Sequence, residues 1–155
     1  MRLTELFGRE DLVVGFKPAD KWQAIRDLVD HLVARGRLGA EGSEEVLEAV
    51  LSREKSMSTG MERGIAIPHA AVDDLESVVA CMGLVSAEGG LPFESIDGQP
   101  ARVVVLLVIP RAQKLLHIRT LADIARTLSR EDVRTGLLEA KDADAAYALL
   151  HEQDS

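Results

Sequence analysis

Cysteine is almost missing from this sequence. Cys81 stands alone, which excludes an internal disulfide and any metal site built on several thiolates, and fits a reducing compartment. Aromatic residues are scarce too, at 3%, so a core has to be assembled from Leu, Val, Ile and Ala. With 46% hydrophobic residues in a chain of 155, there is enough apolar material for one domain-sized core. Basic charge is in short supply. Lys and Arg number 18 against 26 Asp and Glu, a net charge of −8 with a pI near 5.0, which opposes a phosphate backbone over most of the surface and argues against nucleic acid as a partner. Long apolar stretches are also absent: the longest, "VVVLLVI" at 103–109, is far too short for a membrane-spanning helix. The N-terminal "MRLTELFGRE" is too charged for a signal peptide. These features predict a single soluble, cytoplasmic domain over 1–155 with no membrane insertion.

Along the chain, "LVVGF" at 12–16 is a short apolar run closed by Pro18 and suits a strand. Asp20 followed by Gln23 has capping-box-like spacing, and Trp22, Ile25, Leu28, Val29, Leu32 and Val33 then recur at helical intervals until Gly36. Ser43, with Glu44 and Glu45 behind it, predicts the N-cap of a second helix that buries Val46, Leu47, Val50 and Leu51 and runs out near Lys55. Three strands are expected next: "GIAI" at 64–67, "SVVACMGLV" at 77–85 and "RVVVLLVI" at 102–109. The last is apolar on both faces and so belongs in the middle of a sheet covered on two sides. Between the second and third of them, "SAEGGLPFESIDGQP" reads as a long connection. Beyond Pro110, Leu121, Ile124, Ala125 and Leu128 mark a helix. Ser129 with Asp132, then Asp142, read as caps of two shorter helices carrying Leu137, Leu138, Ala146, Leu149 and Leu150. There is no repeat and no low-complexity tract. The order strand, two helices, three strands, three helices predicts an α/β three-layer sandwich, a mixed β-sheet flanked by helices on both faces.

Four histidines occur. His31, one step off the stripe of the first helix, and His151, near the C-terminus, read as surface residues. His69 directly follows Pro68, which cannot donate to a sheet ladder; the expectation is that the chain leaves the sheet there and the imidazole emerges at a strand's carboxyl end, where open α/β folds place ligands. It is either a strand-capping histidine or a nucleophile. His117 falls on the edge of the inward stripe of the helix carrying Leu121 and Ile124, with unpaired helix N–H groups expected to keep it neutral. It is either a satisfied core residue or a neutral donor. Two loops favour the chemical reading of both. "SREKSMSTG" at 52–60 offers Arg53, whose planar fork grips phosphate, with Ser58, Thr59 and Gly60; "PRAQKLLHIR" at 110–119 holds Arg111, Lys114 and Arg119 without an acid. Together they describe a site for an anion, most simply a phosphoryl group on an imidazole. Asp73 and Asp74 suggest a metal-dependent hydrolase, but the positive charge nearby argues against a divalent cation.

"REKSMSTGMERGIAIPHA" at 53–70 resembles the active-site signature of phosphotransferase-system (PTS) enzyme IIA domains of the fructose–mannitol type, and "LLHIRTLADIARTL" at 115–128 is similar to that family's second histidine segment. "FESIDGQPARVVVLLVIP" at 93–110 is most similar to the nitrogen-regulatory IIA branch, as is the absence of an attached IIB or IIC domain. The resemblance implies the IIA fold and makes His69 the phosphorylated residue. It makes His117 the neighbour that orients the phosphoryl group, Arg53 and Thr59 supporting groups, and Glu54 a structural acid that holds the loop. Met57, Ile118 and "AAVDD" after His69 depart from the family pattern.

The function so implied is reversible phosphoryl transfer. An HPr-type phosphocarrier, or its nitrogen-system counterpart, is the donor, and a IIB protein or a regulatory target such as a kinase or ion transporter is the recipient. No metal or organic cofactor is expected, because metaphosphate-like transition states ask chiefly for positioning and electrostatics. Met57, Met61, Ile65 and Ile67 are expected to form an apolar rim that excludes water and docks protein partners. Two other readings stand beside this one. A sugar-specific IIA would pass the group to a separate IIB protein. A binding module of the same fold would regulate its partner without phosphotransfer.

Overall fold

The computed structural model describes residues 3–73, 75–86, 90–93 and 95–153. Its sheet contains β1 (Leu12–Phe16), β2 (Ile65–Ala66), β3 (His69–Val72), β4 (Val79–Val85) and β5 (Val103–Pro110). The helices are α1 (Leu3–Leu6), α2 (Lys21–Ala34), α3 (Ala40–Ser56), α4 (Lys114–Leu128), α5 (Glu131–Glu139) and α6 (Ala143–Gln153). β1 pairs parallel with β4, β4 antiparallel with β5, and both β2 and β3 parallel with β5. The sheet is therefore mixed, with β5 internal, as its uninterrupted apolar sequence requires.

The pleat of β5 divides the core. Val104, Leu106 and Val108 point into one apolar layer with Ile25, Leu28 and Leu32 of α2 and Leu47 and Val50 of α3. Val103, Val105, Leu107 and Ile109 point into the other, with Ile124 and Leu128 of α4, Leu137 of α5 and Leu150 of α6. Helices cover both faces, the three-layer sandwich expected from the sequence.

Several local expectations change. Asp20 does cap α2, accepting the Gln23 N–H at 2.8 Å, and Asp142 accepts the Ala145 N–H at the start of α6. Ser43 is not a cap: α3 already begins at Ala40 after Gly39, and the Ser43 hydroxyl donates to the Ala40 carbonyl inside the helix. The glycines at 39 and 42 conceal this earlier start, since neither carries an apolar side chain to mark the periodicity. Ser129 closes α4 instead of opening α5, donating to the Arg126 carbonyl. Trp22 lies outside the buried stripe of α2, because the first turn stands at the rim of the sandwich; Ala24 fills the inward position. Leu3, Leu6 and Phe7, which form no long pattern in the sequence, bury against the second layer.

The largest correction concerns Pro68. The chain does not leave the sheet there. The Pro68 carbonyl accepts the Leu107 N–H at 3.0 Å, and parallel pairing with β5 resumes at once, His69 opposite Leu107 through Val72 opposite Pro110. A proline removes only a donor, and at the edge of a sheet that loss is tolerable.

Close packing between β1 and β4 supplies a test. A Cβ built on Gly83 would lie 2.4 Å from the Phe16 ring, which is itself buried. Gly83→Ala is expected to destabilise the domain by about 1–3 kcal/mol, measured as a lower urea midpoint at unchanged m-value.

Candidate functional site

The register of β3 decides where His69 points. Paired residues on neighbouring strands share a face, and Leu107 faces the second layer, so His69 is directed toward the helices of that layer, which include α4. α4 begins at Lys114 and brings His117 to meet it: the two rings lie edge to face, centroids 5.3 Å apart and planes at 75°. Nδ1 of His69 is 2.7 Å from the Ile67 carbonyl. A carbonyl only accepts, so Nδ1 carries the proton, and the lone pair is left on Nε2.

The other half of the site comes from the opposite layer. α3 ends at Ser56, and the following chain lies along the outer edge of β2, with Gly60 bridging Ala66, Met61 donating to the Ile65 carbonyl and Ile67 donating to the Thr59 carbonyl. This segment shields the sheet edge and sets Arg53, in the last turn of α3, close enough to act electrostatically on both imidazoles. Nη1 of Arg53 donates to the Met57 carbonyl at 2.8 Å, and among the described residues no carboxylate forms an ion pair with it. Glu54, the next residue, turns inward and is 2% exposed. Its carboxylate accepts the Thr59 N–H at 3.0 and 3.1 Å, the Thr59 hydroxyl at 2.6 Å and the Ser58 hydroxyl at 3.1 Å. Lys21 of α2 stands 3.5 Å from it.

The structure thus brings His69, His117 and Arg53 together, and buries Thr59 in the loop after α3 with its hydroxyl proton committed to Glu54. Both imidazoles are held below the ordinary histidine value of 6.5. For His69, burial is the leading cause, opposed by the hydrogen bond to Ile67 and reinforced by the charge of Arg53 and by His117. For His117, burial leads and Arg53 follows. The expected neutrality of His117 therefore has a different origin: its own backbone N–H already donates to the Gln113 carbonyl, and burial, followed by the charge of Arg53, disfavours the imidazolium. A neutral pair beside an unneutralised guanidinium can offer a nucleophilic nitrogen to an electrophile and oppose negative charge on its oxygens.

The rim differs from expectation. Ile65 and Ile67 face inward and belong to the core, and Met61 packs against it. The exposed apolar residues here are Met57 at 69%, Leu115 at 77% and Ile118 at 66%. Leu115 and Ile118 flank His117 on α4, and their breaks in the helical stripe were the available signal. Arg111 is held by Asp73 at 3.3 Å and donates to the Ala71 carbonyl, beyond the far end of β3. Lys114 and Arg119 are exposed. Among the described residues no group of three or more His, Cys, Asp or Glu is placed to hold a metal ion; Asp74 lies outside them. None of the described helices is long and apolar enough to cross a membrane. Lys21 escaped the sequence reading, although a lysine in the first turn of a helix opposes the helix dipole and was a visible irregularity.

Fold and site define a small three-layer α/β domain that holds two histidines and an arginine at one sheet edge. The chain is a member of the family described as "Phosphoenolpyruvate-dependent sugar phosphotransferase system, EIIA 2", whose model matches residues 5–153. It is 33% identical to a nitrogen regulatory protein of Bradyrhizobium diazoefficiens over 97% of this chain and 95% of the relative. It is 31% identical to the fructose-specific EIIABC component of Bacillus subtilis over 99% of this chain, which spans only 24% of that protein. The crystal structure of the nitrogen regulatory protein IIA-Ntr from Neisseria meningitidis superposes with a TM-score of 0.84 over 96% of this chain and 98% of that one; at 22% identity the likeness is one of fold.

In NMR titrations of the ring nitrogens, His69 and His117 are expected to titrate below 6.5, and Arg53→Met to move both midpoints upward. Because the fold favours the neutral rings, the unfolded chain binds more protons. Their contribution to stability is complete above 6.5 and lost as the pH falls through the lowered midpoints. The variant should lose less stability in acid. Unmoved midpoints in Arg53→Met would remove the guanidinium from the causes and leave burial as the leading one.

Proposed function

We propose that this domain is a histidine phosphocarrier that accepts a phosphoryl group from an HPr-type protein on Nε2 of His69 and uses it in regulation through protein partners. The observation that carries this reading is the Ile67 carbonyl, which accepts the hydrogen bond of the Nδ1–H and so leaves the lone pair on Nε2, beside His117 and Arg53. That lone pair forms the new N–P bond as the donor's N–P bond breaks, and the electrons of the broken bond return to the donor imidazole. The Nδ1 proton of His69 stays shared with Ile67 throughout. Arg53 and the N–H of neutral His117 face the charge on the three equatorial oxygens, and positioning of this kind is the main demand of phosphoryl transfer. Thr59 supports the loop through Glu54. The apolar residues Met57, Leu115 and Ile118 give a protein partner something to cover, and covering them excludes water from the phosphorylated ring.

Near end-to-end similarity to a nitrogen regulatory protein supports the regulatory role. A second reading, a sugar-specific IIA that passes the group to a separate IIB protein, is favoured by the similarity to a fructose-specific component. The two share every step up to phosphorylated His69 and differ in the recipient.

Intact-protein mass spectrometry after incubation with phosphoenolpyruvate, enzyme I and HPr is expected to show one acid-labile phosphoryl group on the wild type and none on His69→Ala. His117→Ala should still be modified, about 10²-fold more slowly. A folded wild type that stays unmodified with every cognate carrier would refute phosphotransfer and leave the binding-module reading. Transfer onward to a IIB protein with sugar phosphorylation would select the sugar-specific role.

A further inference from the structure

Lys21 is the first residue of α2, the end of a helix at which unpaired N–H groups make a cation unfavourable. It is nevertheless tightly placed. Its ammonium lies 3.5 Å from Glu54, 4.7 Å over the ring of Trp22 and 5.5 Å over that of Phe93, and its side chain is 15% exposed. Among the described residues it is the cation paired with Glu54. Glu54 in turn receives the donors of Ser58 and Thr59, so one ammonium balances the carboxylate on which the loop behind His69 is hung.

Without that ammonium, a buried carboxylate would face only neutral donors. Such a charge is relieved by taking up a proton or by moving toward water. A protonated carboxyl must donate through one oxygen and so loses an acceptor for Thr59 or Ser58; a carboxylate drawn outward takes the loop with it. Either change shifts Arg53, the residue before Glu54 and bound to Met57 of the same loop. Lys21 is on a different helix from Arg53, and among the described residues no hydrogen bond or ion pair joins it to His69 or His117.

We propose that Lys21 is a positioning residue for phosphoryl transfer at His69, acting through buried Glu54 on the loop 57–60 and linking the state of that loop to Trp22. The inference rests on the phosphocarrier reading above. Trp22 is the one tryptophan in the chain, so its emission reports the ammonium over its ring. A phosphoryl group added beside Arg53 brings new negative charge next to the loop that Glu54 holds and alters the pull on that ammonium.

The experiment measures phosphoryl transfer from phospho-HPr to the wild type, Lys21→Met, Lys21→Gln and Lys21→Arg, with urea unfolding of each as a check on folding. Lys21→Met and Lys21→Gln are expected to lose about 10²-fold in kcat with a smaller change in KM for the carrier, because two of the three exposed rim residues, Leu115 and Ile118, are on α4 and only Met57 is in the loop. Lys21→Arg should recover most of the rate. Trp22 emission should change when wild type is phosphorylated and stay constant in His69→Ala. A wild type that accepts no phosphoryl group defeats the phosphocarrier reading itself. A wild type that is phosphorylated while folded Lys21→Met or Lys21→Gln reacts equally fast, or while Trp22 emission stays fixed, overturns the role of Lys21 alone. The emission readout on wild type decides the matter even if both neutral variants fail to fold.

Discussion

β5 offers its neighbours no polar side chain, and this constrains everything around it. An eight-residue strand buried along its whole length must have hydrogen-bonded strands on both sides and apolar layers on both faces. Each fully buried Val, Leu or Ile contributes on the order of 1.5–3 kcal/mol relative to exposure, so any arrangement that leaves one face of β5 wet forfeits several such contributions. Alternation then assigns α2 and α3 to one layer and α4, α5 and α6 to the other. The two sources of the site residues are thereby separated by the thickness of the sheet.

The edge line formed by β2 and β3 is where they can meet. Pro68 falls in this line without interrupting it, because the ladder uses its carbonyl. Register against Leu107 then fixes the side to which His69 turns, and a slip of one residue would aim it at α3 instead. The chain leaving α3 lies along the outer side of β2, which brings Arg53 from the far layer to the same edge that α4 approaches from the near one. Edge strands need cover against association with other chains; here the cover is also the loop that shapes the site.

How far the sequence revealed this follows from the range of each interaction. β1, the capped start of α2, the central place of β5 and the closing helices were legible, because periodicity, caps and apolar runs are local signals. β3 was not: a proline followed by "HAAV" reads as an exit, and only the register with a strand more than thirty residues later shows otherwise. His69, His117 and Arg53 stood out from their positions and from the family signature, yet the rim was misassigned. Ile65 and Ile67 look like surface apolar residues beside a site until the pleat shows that they face the core, whereas Leu115 and Ile118 are visible only once the orientation of α4 is known. Lys21 was hidden because its partner lies in another helix, although its poor fit to the helix dipole recorded the conflict locally.

The adjacent charges of Arg53 and Glu54 explain why the loop needs so many donors. An arginine and a glutamate side by side in a half-buried segment would neutralise one another if both turned the same way, and the histidines would then lose the field that helps keep them neutral. The structure separates them. Glu54 is drawn inward by Ser58, Thr59 and Lys21, and among the influences on His69 its charge ranks last, behind that of Arg53. Arg53 is anchored by a peptide carbonyl, which fixes the guanidinium without cancelling its charge. A carboxylate anchor would hold it more strongly and defeat its purpose. The acidic surface of the domain strengthens the point: with a net charge of −8, an unneutralised cation beside two neutral imidazoles has to be built, and here it is built by giving the neighbouring carboxylate a partner of its own.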